Sequence, residues 1–284
     1  MFDVIIIGAG VAGISCAVQL KRLGLKPLII EKSGFVGGLI RNAGFIENYP
    51  GLKAPVNGLE FAARLEKMIE NFALDLVFTE VISFTETSQE VTILTSEGPF
   101  VAPWAVFAAG TSPKPPPVEF SGVSCIFEPV KLKGSSGDRL AILGSGEAGC
   151  DYAISLSEKG FDVTMLVRRD ILTARGVLKD RVYASEKIKV IHNFSILKGY
   201  EEGVLKYISG ETPGLSLLLE FQHIILALGR TGEGEKYGLK SIKGVETNFK
   251  RIYIAGDAAR GSLGQLAMAA GDGIRCAQII AEML

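Results

Sequence analysis

The chain has 284 residues, of which 48% are hydrophobic and 34 are glycine, which is typical of a globular protein of about two domains. Its 30 basic and 31 acidic residues nearly cancel, so we expect no binding to nucleic acid or to an anionic membrane surface. Four scattered cysteines, no signal-peptide pattern and no apolar run long enough to cross a bilayer predict a cytoplasmic protein without disulfides or a membrane span.

The first predicted elements form a nucleotide-binding βαβ unit. A short β-branched run leads into a G-x-G-x-x-G turn at Gly8, Gly10 and Gly13, and a helical pattern follows. In such a turn the first glycine permits the bend, the second lets a pyrophosphate approach the backbone, and the third lets the helix pack on the strand. A second strand at 26–30 is followed by Glu31, whose carboxylate can accept hydrogen bonds from both ribose hydroxyls. The unit predicts a dinucleotide site.

The middle of the first half contains a hairpin, a strand and a linker. Residues 81–98 alternate and turn like a small antiparallel hairpin. The apolar run at 106–110, "VFAAG", predicts another strand. Residues 111–118, "TSPKPPPV", are rich in proline and predict a stiff, extended connection between domains.

A second unit of the same kind follows the linker. Residues 139–143, "RLAIL", predict a strand that leads into a second G-x-G-x-x-G turn at Gly144, Gly146 and Gly149. A helical segment then precedes another predicted strand at 161–167. The repeated strand–turn–helix–strand order predicts a second dinucleotide site.

The two units differ where the second strand ends. Glu31 occupies this place in the first unit, whereas the second has Val167, followed by Arg168 and Arg169 with Arg175 nearby. A carboxylate repels the 2′-phosphate of NADPH, and guanidinium groups bind it through bidentate hydrogen bonds. The second site is therefore predicted to bind NADPH in preference to NADH.

The last segment completes a family pattern. Residues 251–257, "RIYIAGD", predict a strand that ends in Gly256 and Asp257, followed by a helix rich in small residues. Together with the two glycine turns, "GFIENYPG" at 44–51 and Gln265, the sequence resembles the thioredoxin-reductase-like branch of the two-dinucleotide-binding flavoproteins over nearly its whole length. The resemblance implies an α/β fold of two Rossmann-like, three-layer ββα domains, FAD and NADPH as cofactors, and a homodimer.

The resemblance also implies how the domains are arranged. The FAD domain is expected to be discontinuous, at 1–112 plus 246–284, with the NADPH domain inserted at 113–245. We expect the return crossing within 241–248. The interval from the second glycine turn to Gly256 and Asp257 is short for the family, which predicts a reduced NADPH domain.

Further FAD-binding residues follow from the same resemblance. It places Glu31 on the adenosine ribose, Asp257 on the ribityl phosphate side, and Gln265 and Leu266 where a helix N-terminus meets the pyrimidine edge of the flavin. The partial positive charge of that helix end stabilises negative charge on the ring. The other implied FAD contacts are Gly38, Leu39, Asn48, Val81 and Gly110.

The thiol chemistry of the resembled family is incomplete here. Thioredoxin reductases carry a C-x-x-C pair just before the second glycine turn, and this chain has only Cys125 in that window. An internal disulfide needs two thiols within bonding distance. Cys125 is the one candidate catalytic residue, and we expect little reactivity because Glu128 opposes its ionisation and Lys131 offsets this only weakly. The other three cysteines are predicted to be core residues.

The sequence therefore predicts an FAD-dependent, NADPH-linked oxidoreductase that delivers electrons to an external acceptor, namely ferredoxin, a flavodoxin-like protein, a quinone or oxygen. Two alternatives stay open: a disulfide reductase that uses Cys125 or a partner's thiol, and a flavin- and nucleotide-binding sensor without turnover. No metal site is expected, because His192 and His223 lie on separate predicted strands and no Cys/His/acid cluster has ligand spacing.

Overall fold

The computed structural model describes residues 1–261 and 264–284. Its strands are β1 (Val4–Ile7), β2 (Pro27–Glu31), β3 (Asp75–Phe78), β4 (Val81–Glu86), β5 (Val91–Thr95), β6 (Gly98–Ala102), β7 (Trp104–Phe107), β8 (Thr111–Pro113), β9 (Arg139–Leu143), β10 (Asp162–Leu166), β11 (Ile188–Ile191), β12 (Ser195–Glu202), β13 (Leu205–Thr212), β14 (Leu215–Phe221), β15 (His223–Leu226), β16 (Arg230–Gly232), β17 (Ser241–Lys243), β18 (Glu246–Thr247) and β19 (Ile252–Ile254). Its α-helices are α1 (Val11–Arg22), α2 (Gly58–Asn71), α3 (Glu147–Glu158), α4 (Val177–Ala184), α5 (Asp257–Arg260) and α6 (Leu266–Met283).

The chain divides into two compact units. The first contains residues 1–41, 47–112 and 230–284, and the second contains 42–46 and 113–229. The crossing back to the first unit therefore lies between 229 and 230, earlier than the predicted 241–248 and than the predicted boundary at 246. The segment 241–248 instead forms the β17–β18 hairpin of the first unit.

The first unit is built on a parallel sheet with the strand order β19-β7-β1-β2-β3. Every residue of β1, β2 and β7 is buried, as the β-branched and apolar sequences of these strands predict. Helices α1 and α6 lie in close contact: a Cβ at Gly273 would overlap the carbonyl oxygen of Ala12. The C-terminal helix is thus part of the fold that presents the first glycine turn.

A second, antiparallel sheet belongs to the same unit. It has three strands, β4, β5 and β6, where the sequence predicted a hairpin of two. The third strand, at 98–102, was missed because it runs almost directly into β7. Ile93 and Phe84 from this sheet join the core that covers β1, β2 and β7.

The second unit has three layers. Its parallel sheet, in the order β11-β10-β9-β15, lies between α3 and the antiparallel sheet β12-β13-β14. Successive residues of β9 serve opposite faces: Leu140 and Ile142 belong to the core that includes α3, whereas Ala141 and Leu143 belong to the core that includes Ile208 of β13. The predicted α/β class, with two Rossmann-like domains, is confirmed.

The C-terminal segment differs from the prediction of one continuous helix. The structure has a short helix, α5, at the Gly256-Asp257 motif and a separate long helix, α6, that begins at Leu266. Ser262 and Leu263, which the prediction included, lie outside the described residues. Within the described residues, no helix is long and apolar enough to cross a membrane.

Candidate functional site

The first glycine turn leaves room for a phosphate group at one position. Gly8 has φ +112°, and a Cβ there would overlap the carbonyl oxygen of Ala108. A Cβ at Gly13 would overlap the carbonyl oxygen of Gly8. At Gly10, in contrast, the nearest atom to a Cβ would be the Gly37 oxygen, 3.9 Å away. The turn is closely packed at its two ends and open at the start of α1, which fits a pyrophosphate lying against that helix N-terminus.

Glu31 lies beside this turn and is nearly buried. One carboxylate oxygen accepts the Ala9 N–H at 2.8 Å, and the other accepts the Ser33 N–H at 2.8 Å. Each oxygen has a further lone pair, because a carboxylate offers about four acceptor positions. The side chain lines a cleft together with Gly8, Thr79 and other residues of the first unit. The carboxylate is therefore held in place at the cleft, which is compatible with its predicted role as a ribose ligand.

The cleft beside Glu31 has two wall residues that sequence analysis did not identify, Glu233 and Tyr237. Glu233, which was assigned to the inserted domain, lies in the first unit, and its backbone N–H donates to the carbonyl of Gly110 at 3.0 Å. Its buried carboxylate pairs with Lys236 at 2.9 Å. Tyr237 donates its hydroxyl to the carbonyl of Val81 at 2.9 Å. The predicted contact Val81 thus lines this cleft, and the predicted contact Gly110 is hydrogen-bonded to its wall residue Glu233.

The predicted flavin-side residues form two groups in the structure. The Asn48 amide donates to the Gln265 side-chain oxygen at 3.1 Å, and Leu266 begins α6. Gly38 and Leu39 open a short 3₁₀ helix next to the first glycine turn, where a Cβ on Gly38 would be 3.7 Å from the Cα of Gly10. The loop after β2 is thus packed against the first glycine turn, and Asn48 is held at the start of α6.

Asp257 belongs to a network of charges at the start of α5. Burial raises the pKa of its carboxyl; Asp272 adds to this shift, and Arg230 and Arg260 oppose it. Asp272 is buried and accepts hydrogen bonds from the Arg260 guanidinium at 2.8 and 2.6 Å and from the Gly256 N–H at 3.2 Å. The Arg260–Asp272 pair, which has no sequence signature, holds the Gly256-Asp257 turn.

The second glycine turn has the same design as the first. Gly144 has φ +136°, a Cβ there would overlap the Ala227 carbonyl oxygen, and a Cβ at Gly149 would crowd the carbonyl of Gly144. At Gly146 the nearest atom to a Cβ would be the Thr173 hydroxyl, 4.0 Å away. This opening at the start of α3 again fits a pyrophosphate.

The predicted 2′-phosphate ligands follow β10 in the second unit. Arg168, Arg169 and Arg175 are all exposed, and none of their guanidinium groups pairs with an acid among the described residues. Three exposed arginines without an ion pair in the described part of the chain, against the single acidic residue Asp170 in the segment 168–175, favour an anionic ligand group.

Comparison with known proteins identifies the family. A family model described as pyridine nucleotide-disulphide oxidoreductase matches residues 2–273. The chain belongs to this family. The thioredoxin reductase of Bacillus subtilis (strain 168) is 28% identical over 301 residues, which cover 99% of this chain and 94% of that protein. The crystal structure of T. acidophilum thioredoxin reductase superposes with a TM-score of 0.86 at 26% identity, covering 99% and 98% of the two chains.

A second solved structure, thioredoxin reductase from Lactococcus lactis, has a TM-score of 0.88 at 23% identity over the whole of both chains, which supports the fold. As a member of the pyridine nucleotide-disulphide oxidoreductase family, the protein is an FAD-dependent NAD(P)H oxidoreductase. The predicted cofactors, FAD and NADPH, are confirmed by this membership.

The family's disulphide chemistry directs attention to Cys125, which is half-buried. Burial raises the pKa of its thiol to about 11; Lys206 opposes the shift and Glu201 adds to it. The predicted neighbours were wrong, because Glu128 and Lys131 pair with each other at 2.8 Å and do not act on the thiol. The expectation that nothing activates Cys125 agrees with this raised pKa.

The other three thiols are less exposed to solvent than the thiol of Cys125. Cys16, Cys150 and Cys276 are buried, and burial raises the pKa of each. All four cysteines are free thiols. Among the described residues no group of three or more His, Cys, Asp or Glu side chains has the geometry of a metal site.

Proposed function

We propose that this protein passes electrons from NADPH through FAD to an external acceptor without an internal dithiol relay. The observation that carries the proposal is the state of Cys125. It is the only cysteine near the position of the family's C-x-x-C pair, and burial raises the pKa of its thiol to about 11. At neutral pH such a thiol is almost entirely protonated and is a poor nucleophile.

The first unit is proposed to hold FAD. The turn at Gly8, Gly10 and Gly13 would hold the pyrophosphate, and Glu31 would accept hydrogen bonds from the adenosine ribose. Asp257, held by the Arg260–Asp272 pair, would face the ribityl side. When bound, FAD supplies a centre that takes a hydride from NADPH and releases electrons in pairs or singly.

The second unit is proposed to hold NADPH. The turn at Gly144, Gly146 and Gly149 would hold its pyrophosphate, and Arg168, Arg169 and Arg175 would surround the 2′-phosphate. Hydride transfer between two bound cofactors depends on positioning rather than on an acid–base group. A reaction of this kind needs no activated thiol, which agrees with the raised pKa of all four cysteines.

The acceptor is proposed to be a small redox protein of the ferredoxin or flavodoxin type, a quinone or oxygen. The curated relatives are named thioredoxin reductases, which supports a small redox protein as the class of partner. A cytoplasmic homodimer is the expected form of the enzyme.

Anaerobic titration of the FAD-loaded protein tests this proposal. About one equivalent of NADPH per FAD should bleach the flavin absorption band at about 450 nm. NADH should bleach it only at much higher concentration. Addition of ferredoxin, flavodoxin, a quinone or oxygen should restore the band. If dithionite bleaches the protein and NADPH does not, the proposed hydride route is wrong, and the sensor alternative gains support.

The family name favours one other candidate, reduction of a disulphide substrate through Cys125. The variant Cys125→Ser decides between the two. Under our proposal it retains the wild-type rate with every acceptor, because the thiol takes no part. Loss of turnover with disulphide substrates alone would establish the alternative.

A further inference from the structure

The segment 168–175, here called the arginine turn, carries Arg168, Arg169 and Arg175 and is held by backbone hydrogen bonds to the rest of the second unit. The Arg169 carbonyl accepts the Asn193 N–H at 3.1 Å. Farther along, the Ala174 N–H donates to the carbonyl of Ser145 at 2.8 Å, and Ser145 lies inside the second glycine turn. Leu172 and Ala174 are buried, whereas Arg168, Arg169 and Arg175, which flank them in the sequence, are exposed. The arginine turn is thus joined directly to the proposed pyrophosphate site.

A chain of side-chain hydrogen bonds adds two further anchors. His192, which directly follows β11, places its Nδ1 3.4 Å from the Arg169 carbonyl oxygen. Its Nε2 lies 3.3 Å from the hydroxyl of Tyr183 on α4, and this hydroxyl oxygen accepts the Leu172 N–H at 3.3 Å. The network therefore connects both halves of the arginine turn through Tyr183 and His192.

The hydrogen-bonding capacity of the partners assigns a donor or acceptor role to both ring nitrogens of His192 and to the Tyr183 hydroxyl. A carbonyl oxygen only accepts, so Nδ1 of His192 must carry the proton that it donates to Arg169. In the neutral ring Nε2 is then an acceptor, and the Tyr183 hydroxyl donates to it. The same hydroxyl uses a lone pair to accept from Leu172. Each group has one consistent role, so removal of the hydroxyl interrupts both halves of the network at once.

We propose that Tyr183 and His192 are positioning residues that set the preference for NADPH over NADH. They do not reach the coenzyme themselves. They hold the backbone from which Arg168 and Arg169 extend, at a fixed offset from the glycine turn at Gly144. The arginines then meet the 2′-phosphate without first being ordered, which lowers the entropic cost of binding that group. This inference rests on the proposed assignment of the second unit to NADPH.

The test compares affinities for NADP⁺ and NAD⁺ in the FAD-loaded protein, together with kcat/KM for NADPH and NADH. Tyr183→Phe should weaken NADP⁺ about threefold to tenfold, the value of one or two hydrogen bonds, and leave NAD⁺ within about twofold. His192→Asn retains a donor near the Nδ1 position and loses the acceptor for Tyr183, so its loss should be smaller. Tyr200→Phe is the matched control and should change neither affinity. Tyr200 stacks on Tyr207 within the antiparallel sheet β12-β13-β14, away from the arginine turn.

Three results would overturn the inference. Equal weakening of NADP⁺ and NAD⁺ would show a general structural role, and unchanged selectivity in both Tyr183→Phe and His192→Asn would show no role at all. A wild-type protein that does not distinguish the two coenzymes would also refute the arginine assignment in the proposed function. The wild-type measurement therefore separates failure of this inference from failure of the proposed function.

Discussion

Asp257 is expected to oppose folding of the apoprotein and, under the proposed function, to favour binding of FAD. Burial raises the pKa of its carboxyl above the usual 3.8, and the nearby Asp272 adds to the shift despite Arg230 and Arg260. The folded chain thus binds this proton more tightly than the unfolded chain does. As pH rises through the interval between the unfolded and folded pKa values, the free energy of unfolding falls, and above that interval the loss is complete.

We therefore expect Asp257→Asn to have opposite effects on stability and on FAD binding. At about pH 7 the apoprotein variant should have a higher free energy of unfolding than the wild type, because the buried charge is gone, and the difference should vanish below about pH 4. FAD should bind about 1–3 kcal/mol more weakly, because a charged acceptor is lost. Urea unfolding between these pH values and FAD titration of the apoprotein measure the two effects.

Asp75→Asn is a suitable control for this experiment. Asp75 is an exposed carboxylate on β3 of the same unit, so its amide variant should change neither quantity. If Asp257→Asn binds FAD as tightly as the wild type does, the residue lies outside the cofactor site. If instead the variant apoprotein is less stable at neutral pH, the charge pairs with Arg230 and Arg260 outweigh burial.

At the scale of elements, the start of α6 is the feature with the clearest chemical consequence. The helix has 18 residues and carries no acidic side chain in its first turn, so the partial positive charge at its N-terminus is not compensated. Gln265 precedes the helix and accepts a hydrogen bond from Asn48. If the start of α6 faces the flavin, as we propose, a negative charge at this position opposes the electrostatic support of the helix for negative charge on the ring.

Gln265→Glu should therefore lower the flavin reduction potential by about 10–30 mV, where 30 mV corresponds to about 1.4 kcal/mol for two electrons. Gln278→Glu adds the same charge at an exposed position in the middle of α6 and should shift the potential by much less. Equilibrium titration with a reference dye measures both variants. Equal shifts would mean that the N-terminus of α6 does not face the flavin.

The elements also show which parts of the site a sequence can predict. The two glycine turns were predicted because each requirement is local: a strand, a bend and a helix within a few residues, as at Gly8 and Gly144. The hydrogen bond that anchors the backbone of Gly44 could not be predicted in this way. Its N–H donates to the Asp151 carboxylate on α3 at 2.7 Å, across more than a hundred residues of chain, and neither residue has a pattern that indicates the other.

At the scale of the whole molecule, contacts between residues far apart in the sequence also explain why the return crossing to the first unit was predicted in the wrong place. The segment after Gly229 is too short and polar to read as a strand. It joins the first unit because the Arg230 guanidinium donates to the hydroxyl and carbonyl of Thr111 at 2.8 and 2.7 Å. Glu233 and Tyr237 line the cleft beside Glu31 because this segment returns to the first unit. The composition of that segment does not indicate these contacts, since the partners Thr111, Gly110 and Val81 lie more than a hundred residues away in the sequence.

The division into two units makes a prediction about how each cofactor stabilises the chain. A ligand that binds only one folded unit, present at 100 times its Kd, stabilises that unit by about 2.7 kcal/mol, which is about a hundredfold slower hydrogen exchange for amides that exchange through its unfolding. FAD added to the apoprotein should therefore slow exchange in β1 and α1, at 4–22, and also in α6 at 266–283. NADP⁺ should slow exchange in β9 and α3, at 139–158.

Mass spectrometry of peptides from these segments measures the effect, with AMP in place of either cofactor as the control. The discontinuous first unit is the critical part of the experiment, because 4–22 and 266–283 lie at opposite ends of the chain and should respond together to FAD. Protection of 139–158 by FAD equal to that of 4–22 would contradict the assignment of FAD to the first unit alone. Protection of 4–22 without 266–283 would mean that α6 does not share the stability of the FAD site, despite its close contact with α1 at Gly273 and Ala12.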